Sequence, residues 1–202
     1  LLCSGEPIKV DLFDNCIQIA CPSAVETSSM IPIIKLELDE KPIASSTALF
    51  IDGEHSTNLE AIFADVENLE IEEVRWMEKF GEWKHSYNLW RWKEASDMTK
   101  WEINVLKPGR YNIKIDYACD LDSENSEWEI SSSNDSITFV GLDTGMTARS
   151  KENTHPRARY LTVELGVLTL NSTGIQTISV NPIKQPFNDG ILIRRIIIEP
   201  YE

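Results

Sequence analysis

The sequence predicts an all-β fold, an antiparallel β-sandwich, and three observations carry that expectation. Short runs in which apolar and polar side chains alternate recur about every ten residues, with turn-forming clusters between them. The most regular stretch, residues 101–119, reads as two strands around one turn. In it Trp101, Ile103 and Val105 alternate with polar residues, Lys107-Pro108-Gly109-Arg110 interrupts, and Tyr111, Ile113, Ile115 and Tyr117 alternate again. Proline presets one turn angle and glycine supplies the positive φ that follows it, so a β-hairpin closed by a type II turn is expected. Finally, no stretch sustains the 3.6-residue period of a helix.

Composition bounds the rest. A chain of 202 residues, 42% apolar, is long enough for one or two domains with a substantial core. A net charge of −14 disfavours nucleic acid and anionic membrane as partners, because both need clustered Lys and Arg. No 18-residue apolar run exists, so no membrane span is expected. Leu1-Leu2-Cys3-Ser4-Gly5 lacks the basic start and apolar core of a signal peptide and no initiator Met precedes it, which reads as a piece of a longer chain. The four cysteines, Cys3, Cys16, Cys21 and Cys119, fit no zinc spacing and read as buried free thiols. Cys16 and Cys21 would face opposite sides of one strand.

In chain order, Cys16 to Cys21 is strand-like and ends at Pro22, and residues 31–38 form a second apolar run of strand length. Two strands bury too little to stand alone. Residues 41–46 read as a connection, 47–51 as a short strand and Asp52-Gly53 as a turn. Residues 59–66 are ambiguous between helix and strand, and strand is preferred; 69–74 alternate imperfectly. Residues 75–101 hold five of the six tryptophans and read as loop and short strand. Beyond the central hairpin, 120–126 is an acidic loop, 127–130 and 137–142 are strands around a Ser-Asn-Asp turn, and 148–157 is a charged loop. Residues 160–165, 166–170, 175–180 and 191–198 are further strands, with a turn at Asn171-Ser172-Thr173-Gly174 and a loop over 182–190.

Two regions then resemble a known family. Gly5-Glu6-Pro7-Ile8-Lys9-Val10, Asn15-Cys16-Ile17-Gln18-Ile19, Pro22 and Ile33-Ile34-Lys35-Leu36-Glu37-Leu38 resemble the end of the β-sandwich domain that follows the barrel in bacterial α-L-fucosidases of glycoside hydrolase family 29. From about Leu59 to Pro200, the Trp101-x-Ile-x-Val-x-x-Pro-Gly-x-Tyr-x-Ile-x-x-x-Tyr-Ala-Cys core, Leu165-Gly166 and the last strand are similar to an extra C-terminal module of some of these enzymes. That module looks like the jelly-roll, galactose-binding-like sandwiches of carbohydrate-binding families 6 and 35. The resemblance implies residues 1–40 as C-terminal strands of one sandwich, 41–57 as a connecting segment and 58–202 as the module. It implies the non-catalytic tail of an α-L-fucosidase, an upstream catalytic barrel as intramolecular partner, and a periplasmic or extracellular location. The family's catalytic residues lie on the barrel, and no position here matches them. Its calcium site uses acidic residues on the first strand and near the last one, for which Glu60 and Asp189 are the candidates; no other cofactor is implied.

The aromatic segment is the best binding candidate. Sugar rings present C–H faces that pack on Trp and Tyr while polar neighbours take the hydroxyls. Trp83, Tyr87, Trp90, Arg91 and Trp92 are the candidate sugar-binding residues, with His85, Asn88 and Lys93 interleaved. The same rings would serve equally to fill the sandwich core and its ends. Asp120, Asp122 and Glu124 alternate, a pattern open to two readings, a calcium loop of oxygen ligands or a solvated acidic loop. His55, His85 and His155 lie in no motif. Asn134-Asp135-Ser136 and Asn171-Ser172-Thr173 are glycosylation sequons, without meaning in a bacterial protein. Function is therefore expected to be accessory: binding fucosylated or other glycans, or bracing the barrel. The alternative is a structural or protein-interaction sandwich without sugar affinity.

Overall fold

The computed structural model describes residues 10–13, 16–19, 49–77, 83–146, 158–184, 186 and 189–201, with side chains given at most of these positions. The chain divides into two compact units, Leu1–Ala44 and Ser45–Glu202. In the first, β1 (Val10–Phe13) and β2 (Cys16–Ile19) pair antiparallel with Val10 opposite Ile19 and Phe13 opposite Cys16. The strand expected over residues 31–38, the connection at 41–46 and the charged loop at 148–157 lie outside the described residues.

The second unit is an all-β sandwich. Its strands are β3 (Leu49–Ile51), β4 (Thr57–Glu60), β5 (Asp65–Glu67), β6 (Glu70–Met77), β7 (Trp83–Trp90), β8 (Met98–Val105), β9 (Gly109–Ala118), β10 (Glu127–Ser131), β11 (Ser136–Val140), β12 (Leu161–Leu170), β13 (Gly174–Pro182) and β14 (Leu192–Pro200). One sheet runs β11-β10-β13-β8-β3 with β5 also on β8; the other runs β12-β9-β14-β7-β6 with β4 also on β14. The pairings are antiparallel except β3 with β8. Among the described residues no helix is long and apolar enough to cross a membrane.

Alternation decides what goes inside. Trp101, Ile103 and Val105 of β8, Ile178 and Val180 of β13, and Trp128 and Ile130 of β10 meet Tyr111, Ile113, Ile115 and Tyr117 of β9 and Ile196 and Ile198 of β14 in one buried cluster. Burying each of these large side chains contributes about 1.5–3 kcal/mol. Their polar ends are satisfied. The Trp101 indole donates to the Glu60 carbonyl at 2.9 Å, the Trp128 indole donates to Ser126 Oγ at 2.8 Å, and the Tyr117 hydroxyl accepts from Leu142 N–H at 3.0 Å. Cys119 is fully buried, and burial pushes its thiol up to about 12.

The expected hairpin at 101–119 is not one. Both strands exist, but β8 pairs with β13, β3 and β5, whereas β9 pairs with β12 and β14 in the opposite sheet. The link between them is an arch across the sandwich. Leu106 N–H donates to the Ile51 carbonyl at 2.9 Å, and the Tyr111 hydroxyl donates to the Lys107 carbonyl at 2.5 Å. Gly109 is not among the left-handed residues, so the type II turn is absent too. Parity gives the reason. A loop of Pro108-Gly109 would pair odd-numbered residues with even-numbered ones, Val105 with Asn112 and Ile103 with Lys114. The apolar residues of both strands are odd-numbered, so a hairpin would put them on opposite faces. Crossing to the other sheet lets both sets face the core.

The strand preferred over 59–66 is corrected in the same way. A 3-10 turn at Ala61–Phe63 interrupts it, and the two halves belong to different sheets, β4 on β14 and β5 on β8. The acidic loop after β9 holds a second 3-10 turn, Leu121–Ser123, which the Asp120 carboxylate caps by accepting from Ser123 N–H at 2.8 Å.

Candidate functional site

The candidate sugar-binding residues scatter around β7. Trp90 and Trp92 are buried, 3% and 0% exposed, and present no ring face to a ligand. They face opposite ways. Trp92 lies between the sheets, edge-on to Trp128 with centroids 4.9 Å apart. Trp90 lies on the other side of its sheet in a small cluster with Ala118, Met146 and Leu192, flanked by Ala158 and Tyr160. In a regular strand residues two apart share a face; Arg91 breaks that rule with a φ of 69°. The Arg91 side chain is exposed and holds Glu70 at 2.5 Å. Trp83 begins β7 opposite Met77, with its side chain outside the described residues.

The outer face beside Trp90 carries a buried polar network, in which Asp116 Oδ1, Asn88 Nδ2 and Ser86 Oγ have no hydrogen-bond partner among the described residues. Asp116 is 1% exposed, and its Oδ2 accepts from Arg194 Nε at 2.9 Å, Arg194 Nη2 at 2.5 Å and Arg195 Nε at 3.2 Å. A bulge between Ile193 and Arg195 lets two consecutive arginines reach one carboxylate. Tyr160 roofs the network. Its ring lies 4.3 Å from the Arg194 guanidinium, its hydroxyl donates to Asn88 Oδ1 at 2.5 Å, and burial pushes that hydroxyl up to about 12. With its charges paired and a tyrosine over it, this network fastens the segment before β12 onto the sheet.

Tyr87 sits differently. On the β6–β7 ribbon Glu73 lies opposite Tyr87 and Arg75 opposite His85, so all four share one face. Burial falls along that face. Leu89 is buried, Tyr87 is half-buried against the core, and His85 is exposed. Glu73 Oε2 accepts from Arg75 Nη2 at 2.6 Å, and Glu73 Oε1 lies 3.0 Å from His85 Nδ1. Arg75, then His85, holds the Glu73 carboxyl below its ordinary range. The Arg75 and His85 side chains remain 60% and 48% exposed, so their outer N–H groups are accessible. One aromatic ring thus stands beside a carboxylate, a guanidinium and an imidazole. Glu73 and Arg75 escape sequence reading because only the cross-strand register brings them to Tyr87; the signal available in the sequence was the shared parity of His85 and Tyr87.

A second surface lies on the opposite sheet, where a shallow depression of about 460 Å³ is lined by Glu129, Ser131, Ser132, Asn134, Asp135 and Ser136. It holds no aromatic ring. Asp135 is engaged, its two oxygens accepting from Ser136 N–H at 3.0 Å and Thr169 N–H at 2.9 Å.

The two calcium candidates, Glu60 and Asp189, make contacts within the sandwich. The Glu60 carboxylate lies 3.4 Å from Arg195 Nη1, and its carbonyl holds Trp101. Asp189 has a φ of 68°, and its carbonyl accepts from Trp92 N–H at 3.0 Å. Among the described residues no group of three His, Cys, Asp or Glu side chains is placed to hold a metal.

No protein-family model and no curated protein matches the sequence. Solved structures share its fold. A family 35 carbohydrate-binding module from Clostridium thermocellum is 18% identical with a TM-score of 0.50, the match covering 71% of this chain and 97% of that one. The GH26-CBM35 β-(1,4)-mannanase of Podospora anserina is 16% identical with a TM-score of 0.50, covering 73% of this chain and 28% of the mannanase. The mosquito-larvicidal Cry4Aa toxin of Bacillus thuringiensis is 14% identical with a TM-score of 0.56, covering 77% of this chain and 25% of the toxin. At these identities the likeness is one of fold. The chain spans less than a third of the length of the mannanase and of the toxin.

Proposed function

We propose that the second unit is a carbohydrate-binding accessory module of a larger glycan-degrading protein acting outside the cytoplasm, with an α-L-fucosidase as candidate parent. The observation that carries the reading is one of correspondence: this single sandwich accounts for 97% of a whole family 35 carbohydrate-binding module, and the same fold recurs as one part of a mannanase. An accessory module adds a second contact with the glycan, raising the effective concentration of the attached enzyme at its substrate. A glycan screen with the whole chain tests it. Saturable binding to at least one glycan at millimolar ligand or below is the expected result, and no binding to fucosylated, mannan, xylan or galactan ligands contradicts it.

A structural reading stands second. Trp90, Trp92, Trp101 and Trp128 are all buried, so every tryptophan with a described side chain stabilises the sandwich. Under that reading all four tryptophans with described side chains serve the core, the unit braces a neighbouring domain, and the chain binds no glycan.

A further inference from the structure

We propose that the ligand site is the open face of the β6–β7 ribbon, built by Tyr87, Glu73, Arg75 and His85, and that it takes an uncharged glycan laid along the ribbon. The proposal rests on the carbohydrate-binding reading above and gives it a place and a ligand class. Among the surfaces described, this one sets a partly exposed aromatic ring beside several hydrogen-bonding side chains. The tyrosine ring gives a C–H-accepting face, fixed by its contact with the core. Glu73 pins Arg75 and His85 from within, leaving their outer N–H groups set for sugar hydroxyls. Such pre-ordering lowers the cost of binding.

Charge and shape choose the ligand. The Glu73 carboxylate and Arg75 guanidinium cancel, and the whole chain carries −14, so an acidic glycan gains nothing at the site and is repelled at long range. The face is a strand surface, with Tyr87, His85, Glu73 and Arg75 in two facing rows. A flat row fits the side of an extended chain, whereas a terminal sugar needs an enclosing pocket.

The test measures binding of the whole chain, at neutral pH, to neutral glycans and to uronic-acid glycans, with thermal unfolding confirming each variant's fold. Arg75→Ala and His85→Ala should each weaken binding about tenfold, the effect of losing one charge-assisted or well-placed hydrogen bond. Tyr87→Leu, which keeps an apolar neighbour for the core and removes the π face, should weaken it as much. Glu129→Ala, in the polar depression of the other sheet, should leave it unchanged. Wild-type affinity in all three ribbon variants overturns the site while sparing the carbohydrate-binding reading, and loss on Glu129→Ala alone moves the site to the depression. Binding confined to uronic-acid glycans overturns the neutral ligand. No binding by the unaltered chain overturns both readings together.

Discussion

Arg91 shows how one backbone angle redirects two large side chains. Trp90 and Trp92 both stand among the candidate sugar-binding residues, and they have the spacing of a common strand face. The left-handed Arg91 between them sends one to each side of the sheet, and no alternation pattern signals a positive φ at a residue other than glycine. Arg91→Gly should leave unfolding in guanidinium within about 1 kcal/mol of the unaltered chain, since glycine relieves the strained angle but loosens the unfolded state. Arg91→Val, whose branched side chain resists that angle, should cost about 1–3 kcal/mol. Trp92→Ala, which empties the space beside Trp128, should cost about 3–5 kcal/mol. Cys119 and Tyr160 set an alkaline limit. Both hold their protons up to about 12 in the fold, whereas exposed thiols and phenols lose theirs near 9.0 and 10.0. Between those values the unfolded chain binds fewer protons than the folded one, so stability falls as pH rises. The melting temperature should decline progressively above pH 9, and Cys119→Ala should delay the onset toward pH 10.

The strands of the central stretch were legible in the sequence, whereas the eight-residue β7 fell in a stretch read as loop and short strand, and strand partnership was not legible at all. Alternation at Trp101, Ile103, Val105, Tyr111, Ile113 and Ile115 marks two half-buried strands correctly, but a strand facing the core from either sheet looks the same. The parity across Pro108-Gly109 held the missing information, because it rules out a two-residue hairpin with a shared apolar face. Cysteines at Glu102→Cys and Thr177→Cys, directly opposed on the outer face of β8 and β13, should form a disulfide on mild oxidation. A hairpin would place Glu102 beside Ile115 of β9, and no such bond would form. Gly190, with a φ of 74°, stands just before β14. A Cβ there would lie 3.1 Å from both Trp92 and Trp128, so Gly190→Ala should destabilise by about 2–4 kcal/mol, combining left-handed strain with overpacking. The ribbon site was half legible for a related reason: Tyr87 and His85 are neighbours within β7, while Glu73 and Arg75 arrive only through the pairing of β6 with β7.

For the whole molecule, two scales of pattern agree. Short alternating strands predict an antiparallel sandwich, and two six-stranded sheets enclosing one aromatic-rich core realise it. The whole chain's net charge of −14 points away from nucleic acid and other polyanions. The most direct test is calorimetric titration of the whole chain with neutral glycans, repeated with Arg75→Ala. Saturable binding that weakens about tenfold in the variant is the outcome expected of a glycan-binding module reading its ligand through the β6–β7 ribbon. A flat titration with every neutral glycan, at millimolar ligand and with the fold intact, would contradict that function and leave the sandwich a structural brace.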